Sequence, residues 1–341
     1  MKMNVKEMAR KAGVSVATIS RALNPRTQNK VAPQTRIEIE MLARKYGYTP
    51  NAAARDLRQK ISRTIGVVFP YLPGIFYSNY YNHILAGVSD YLRDKDYQFK
   101  ILLLDDNKPK WDKYDFKNGE RIDGLLVVHW FKYLSSSLIL KKNGLPCVII
   151  NDIEDDIKQQ FVGVDHYLGG QIAANYLFEL GHRRIGVMSG PDWSLDNKQR
   201  VEGFLSFFRK KNINIDVRNI LKADYLEDRA YSAADGLLRN KPAITAVFAC
   251  NDQMAFGVIR RFKELGINCP QDISVIGFDD ETLAEKSDPP LTTIHVPVYE
   301  IAQDAVRLMI DHLRNTDASN LVGVKYFPAH LVERQSAQSI K

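Results

Sequence analysis

The chain has 341 residues, too many for one compact domain, and 45% of them are hydrophobic, enough to bury sizeable cores. Its net charge is +7, yet residues 1–60 hold 13 Lys or Arg against four acids, so a head of +9 precedes a body of −2. No stretch nears the roughly 18 uninterrupted apolar residues of a membrane span, and the three cysteines, Cys147, Cys250 and Cys269, are too isolated for a zinc site or a disulfide framework.

The first residues, Met1 to Lys6, lack the apolar run of a signal peptide. A cytoplasmic chain with no membrane association is therefore expected, with the basic head turned toward a polyanion. A solvated basic surface without a partner is the plain alternative.

In chain order, Val5, Met8, Ala9 and Ala12 fall on one helix face. Gly13 supplies the turn, and Ser15 sits at an N-cap position before a second helix, Val16 to about Leu23. Ile19, Ala22 and Leu23 face inward there, leaving Thr18, Ser20 and Arg21 outside. A third helix starts near Pro33, is expected to turn Ile37, Met41 and Leu42 inward, and stops at Tyr46-Gly47. Three short helices with a glycine turn between the first two make a helix-turn-helix. Such a motif lays its second helix in the major groove, so Ser15, Val16, Ala17, Thr18, Ser20, Arg21 and Asn24 are the candidate DNA contacts. Val16 and Ala17 reach only thymine methyls; Arg21 carries the polar readout.

The run Val5 to Asn24, VKEMARKAGVSVATISRALN, resembles the N-terminal motif of the LacI/GalR family of bacterial transcriptional regulators, and the similarity extends over nearly the whole chain. Tyr48 to Asn51 reads as a turn. Ala52 to Lys60 is helix-prone but too short to be stable alone. The resemblance makes this segment a hinge helix that orders on DNA, with Leu57, beside Ala54, wedged into a minor-groove base step. A plain linker is the other reading.

Beyond Arg63 the pattern becomes α/β. Strands are expected at Thr64–Phe69, Phe99–Leu104, Gly124–Val128, Pro146–Ile150, Arg184–Met188, Ala246–Ala249 and Ile273–Phe278, with helices between most of them. The length implies two parallel-sheet lobes. Ligands of such sheets bind beyond the carboxyl ends of the strands, which selects Phe76, Tyr77, Asp152, Asn251 and Asp279. Each has an ordinary structural reading too: a core ring, or a helix cap.

Val164-Asp165 to Gly170, Gly181 to Ile185, Arg200 to Phe204, Asn251 to Ala255 and Gly277 to Asp280 resemble the family's sensor landmarks. The resemblance implies a helix-turn-helix head on a bilobed periplasmic-binding-protein-like sensor. The expected domains are 1–47 (head), 48–62 (hinge) and 63–335 (sensor), with lobe 1 at about 63–162 plus 294–322 and lobe 2 at about 163–291 plus 323–335. It adds Arg200 and Tyr225 to the effector-binding set, Asp196 being a weaker match, and implies a homodimer on a near-palindromic operator with a small effector, a sugar, between the lobes. Control by a phosphoprotein co-effector, or a solute-binding role, are the alternatives. No phosphate loop, nucleophile elbow or H-E-x-x-H pattern occurs, so no enzyme, cofactor or metal site is expected.

Overall fold

The computed structural model describes residues 3–23, 27–48, 62–71, 75–104, 116, 119–129, 144–151, 160–239, 243–314 and 323–340, the side chain of Tyr77 excepted. It divides into two units, Met1–Ser62 and Arg63–Lys341.

In the first unit, α1 (Val5–Lys11) opens on a capping box: Glu7 donates its N–H to the Asn4 side chain, and Asn4 donates its N–H to the Glu7 carboxylate, both at 3.0 Å. Gly13 turns the chain at φ +63°. Ser15 caps α2 (Val16–Ala22), its Oγ accepting the Thr18 N–H at 3.1 Å. Pro33 opens α3 (Pro33–Lys45). Met8, Ala9, Ile19, Ala22, Ile39 and Ala43 form the core.

The expected inner face of α3 is therefore wrong in part. Ile37 and Met41 are 46% and 66% exposed, whereas Ile39 is fully buried. Ile39, Leu42 and Ala43 follow i, i+3, i+4 spacing; Ile37 and Met41 are a second i, i+4 pair about 160° away. Only the packing of α1 and α2 decides between the two stripes.

The second unit holds two sheets. The first is all parallel, in the order β11-β5-β4-β3-β1-β2, built from β1 (Thr64–Pro70), β2 (Gln98–Leu104), β3 (Gly124–Val128), β4 (Cys147–Asn151), β5 (Gln160–Val164) and β11 (Gly323–Phe327). Its strands alternate between two apolar layers. Ile65, Val67, Phe69, Leu126 and Ile150 join one cluster, and Val68, Leu125, Val127 and Ile149 join the other. Helices α4 (Asn79–Leu92) and α9 (Val298–Arg314) pack together at this sheet.

The second sheet runs β12-β10-β9-β8-β6-β7, from β6 (Ile185–Ser189), β7 (Ile220–Lys222), β8 (Ala246–Ala249), β9 (Ser274–Asp279), β10 (Thr292–His295) and β12 (His330–Val332). All its neighbours are parallel except the edge strand β12. Its helices are α5 (His166–Glu179), α6 (Leu195–Lys210), α7 (Glu227–Leu238) and α8 (Asp252–Glu264).

The chain crosses between sheets three times: β5 to α5, β10 to α9, and β11 to β12. The lobe boundaries differ from those expected. Gly323–Phe327 pairs with β5 and so belongs to the first lobe, not the second, while β10 carries residues 294 and 295 into the second. Edge pairing is set by nonlocal hydrogen bonds that a local pattern does not reveal.

Helices α5 and α6 cross at backbone contact. A Cβ on Gly203 would lie 2.0 Å from the Tyr167 carbonyl oxygen, and one on Gly170 would lie 2.2 Å from that of Arg200. Gly203→Ala must therefore push two main chains apart. It is expected to lower unfolding stability by about 1–3 kcal/mol in urea titrations; an unchanged midpoint would mean that the crossing yields freely.

Candidate functional site

Between the ends of the two sheets lies a cavity of about 280 Å³, lined by residues of both lobes. The first lobe contributes Ile75, Tyr80, Tyr81 and His129; the second contributes Trp193, Asp196, Arg200, Tyr225, Asn251, Gln253, Asp279 and Glu281, among others.

The floor is built around Arg200 on α6, whose side chain is only 2% exposed. Its Nη1 lies 3.0 Å from an Asp279 carboxylate oxygen and donates to the Cys250 carbonyl at 2.6 Å. Its Nη2 is 3.5 Å from Asp196, one helical turn earlier, and the guanidinium lies 3.9 Å from the Phe278 ring centre. Asp279 ends β9 at φ +111°, a backbone angle that turns its side chain onto this cation.

The Nε–H of the same guanidinium fixes a histidine. Arg200 Nε donates to His166 Nδ1 at 3.2 Å, so Nδ1 accepts and Nε2 carries the proton. That Nε2–H faces the backbone and side-chain oxygens of Asn151, at 3.2 and 3.0 Å, on β4 of the other lobe. Burial, helped by the neighbouring Arg200, pushes His166 down to about 3, keeping it neutral.

Burial and charge balance differently at the two carboxylates beside this guanidinium. Asp196 sits below the usual carboxylate range: burial opposes this, but Arg200, His129 and His166 outweigh it. Burial pushes Asp279 up to about 7 despite Arg200. Glu281, two residues beyond β9, is raised by burial as well. It accepts from Gln253 Nε2 at 2.6 Å and from Asn79 Nδ2 at 3.3 Å, the latter reaching across from the first lobe.

The walls are aromatic. Tyr80 stacks on His129 at 5.8 Å, and Tyr81 meets both rings edge-on. Tyr225, held at φ +64°, packs its ring on Gly190, where a Cβ would lie 2.5 Å away.

Of the residues expected at this site, Arg200, Tyr225, Asn251 and Asp279 line the cavity. Asn251 is also the cap of α8: its Oδ1 accepts the Met254 N–H at 2.9 Å, and its Nδ2 donates to the Tyr225 carbonyl. Phe76 does not line it; its ring packs edge-on against Phe69 in the core, 5.4 Å away. Asp152 and the Tyr77 side chain lie outside the described residues. Tyr80, Tyr81, His129, Trp193, Gln253 and Glu281 were missed. His129 follows β3 and Trp193 follows β6, so the strand-end rule extended to those strands would have found them.

On the first unit, Ala17, Ser20 and Arg21 are exposed along α2, while Val16 and Thr18 are half-buried. Ser15 is exposed but its Oγ is engaged by Thr18, through both the N–H and the hydroxyl. Lys6, Arg10, Lys11, Lys30, Arg44 and Lys45 are also exposed. Asn24, Ala54 and Leu57 lie outside the described residues. Among those described, no helix is long and apolar enough to cross a membrane, and no group of three His, Cys, Asp or Glu could hold a metal ion.

The raised Asp279 pKa has a signed consequence. From about pH 4 to pH 7 the folded chain keeps a proton that the unfolded chain has released, so stability is lost as pH rises through that window. Asp279→Asn is neutral throughout. Its stability relative to the parent chain is expected to rise by roughly 1–3 kcal/mol between pH 4 and pH 8 in chemical denaturation. No rise over that window would mean that Arg200 keeps Asp279 ionised across it.

Comparison with known proteins agrees with this architecture. Residues 4–51 match the family described as "Bacterial regulatory proteins, lacI family", and residues 174–337 match "Periplasmic binding protein-like domain". The chain is 32% identical to the HTH-type transcriptional repressor CytR of Escherichia coli strain K12, over 98% of this chain and 96% of that one. The structure of a transcriptional regulator CelR–cellobiose complex superposes with a TM-score of 0.74 at 25% identity, covering 98% of this chain and 99% of that one. A lac repressor dimer bound to operator and the anti-inducer ONPF shares the fold, with a TM-score of 0.82 at 22% identity over 99% and 100% of the two chains. With a helix-turn-helix head, a two-sheet sensor and this full-length similarity, the chain belongs to the LacI family of bacterial DNA-binding transcriptional regulators and is not an enzyme.

Proposed function

We propose that this chain is a cytoplasmic repressor that binds a near-palindromic operator as a homodimer and is controlled by a small hydroxylated effector, a sugar in the simplest case, held between the sensor lobes. The observation that carries the reading is the cavity itself. It lies at the carboxyl ends of strands from two sheets, its walls are aromatic, and its floor is carboxylate and guanidinium. Rings suit the apolar face of a sugar and carboxylates accept from its hydroxyls. The CelR relative is named in complex with cellobiose, which supports the same class.

In this reading Arg200, Tyr225, Asn251 and Asp279 contact the effector. Ser15, Val16, Ala17, Thr18, Ser20, Arg21 and Asn24 lie at the major groove, and Ala54 and Leu57 at the minor groove. The effector acts by population shift: it changes operator affinity only as far as it prefers one lobe arrangement over the other.

Selection of duplexes from a random pool tests the reading. The purified chain is expected to enrich a two-fold symmetric site, with affinity falling steeply as salt rises. Arg21→Ala should weaken that site by about 1–3 kcal/mol while non-specific binding falls less. Enrichment of no symmetric sequence would remove the operator and homodimer reading.

A further inference from the structure

The charges around the cavity say more about the effector than its hydroxyl-binding chemistry does. Five carboxylates line it: Asp196, Asp224, Glu227, Asp279 and Glu281. Two are neutralised from outside, Asp224 by Arg229 and Lys222, and Glu227 by Arg260 at 2.8 Å. Beside the inner three stands one arginine, with the imidazoles of His129 near Asp196 and His83 near Glu281. Among the described lining residues Arg200 is the sole Lys or Arg, and it is already held by Asp279, Asp196, the Cys250 carbonyl and His166. Even with Asp279 protonated, two carboxylates remain for one guanidinium.

Glu281 stands apart within this set. Its described partners are the amides of Gln253 and Asn79, with no cation at ion-pair distance, and Asp252 Oδ2 fixes its backbone by accepting the Glu281 N–H at 2.7 Å. The mouth differs in character. Trp193 and Leu226, on the loops after the neighbouring strands β6 and β7, are 49% and 51% exposed, an apolar rim left uncovered at the cavity edge. Taken together, the interior repels anions and the rim offers a flat apolar surface.

We propose that the cleft is a charge filter centred on Glu281, which admits an uncharged, hydroxyl-bearing molecule with one flat apolar face and refuses its phosphorylated form. This rests on the reading of the cavity as the effector site. Among the described residues, a phosphate brought inside finds no lysine or arginine free to pair with it and meets the Glu281 carboxylate, so like-charge repulsion adds to the cost of losing its water. A neutral ring loses neither hydration nor pairing on that scale. Free sugars and free nucleosides share this chemistry, and the test separates them.

The full-length chain is titrated with matched pairs, following melting temperature and Trp193 fluorescence, with Trp193→Phe as the optical control. The pairs are glucose and glucose 6-phosphate, ribose and ribose 5-phosphate, and four free nucleosides with their 5′-monophosphates. The neutral member of at least one pair is expected to bind, with its phosphorylated partner at least about a hundredfold weaker. The pair that responds identifies the source. In Glu281→Gln, checked for folding by its melting curve, that ratio is expected to shrink to about tenfold. A phosphorylated member binding as tightly as its parent overturns the filter. A ratio unchanged in Glu281→Gln removes Glu281 from its centre. Binding by no member of any pair overturns the effector-site reading itself, and the filter with it.

Discussion

A guanidinium almost completely removed from water, that of Arg200, is the constraint around which the sensor is arranged. A buried, unpaired charge costs several kcal/mol, and the chain meets that cost from four directions. Asp196 comes from the same helix, Asp279 from the end of β9, the Cys250 carbonyl from the end of β8, and His166 from the first turn of α5. These are strand ends and first turns of helices in a parallel α/β fold, so satisfying one cation draws the carboxyl ends of the sheet into a polar floor. The positive-φ backbone of Asp279 is strain accepted at the cavity floor.

The same network reaches across the lobes. His166 accepts from Arg200 on one ring nitrogen and donates to Asn151 on the other, and Asn151 belongs to the first sheet. At the opposite side of the cavity Asn79 donates to Glu281, again between lobes. A molecule seated between these links touches groups whose hydrogen bonds depend on the lobe arrangement. That is the condition for a ligand to prefer one arrangement over another. Three chain crossings join the lobes, so such a change is a hinge motion rather than a separation.

Much of this was legible in the sequence because single residues carried it. Gly13, Ser15 and Pro33 punctuate the head, and continuous apolar runs such as Thr64–Phe69 and Gly124–Val128 mark strands buried on both faces. What escaped depended on partners distant in sequence. The run Ile37-Glu38-Ile39-Glu40-Met41-Leu42 offers two apolar stripes, and only α1 and α2 choose between them. Strands β7 and β12 have three residues each, and β11 exposes Val324 and Tyr326 at a sheet edge, so none presents the apolar run of a central strand. At the site, strand ends pointed to Asn251 and Asp279. From the β1–α4 connection the sequence points to Phe76 and Tyr77; of the described side chains Tyr80 and Tyr81 line the cavity while Phe76 packs on Phe69, because which ring faces the cleft depends on where α4 begins.

A double-mutant cycle on Arg200 and Asp279 tests the central claim most directly. Unfolding free energies would be measured at one pH above 7 for Arg200→Met, Asp279→Asn and the pair. If the buried cation organises the floor, Arg200→Met alone costs about 3–5 kcal/mol by stranding carboxylates, and the second substitution restores a large part of it, giving a coupling above about 1 kcal/mol. Additivity within about 0.5 kcal/mol would contradict the account, since the two groups would then be neighbours without being a unit.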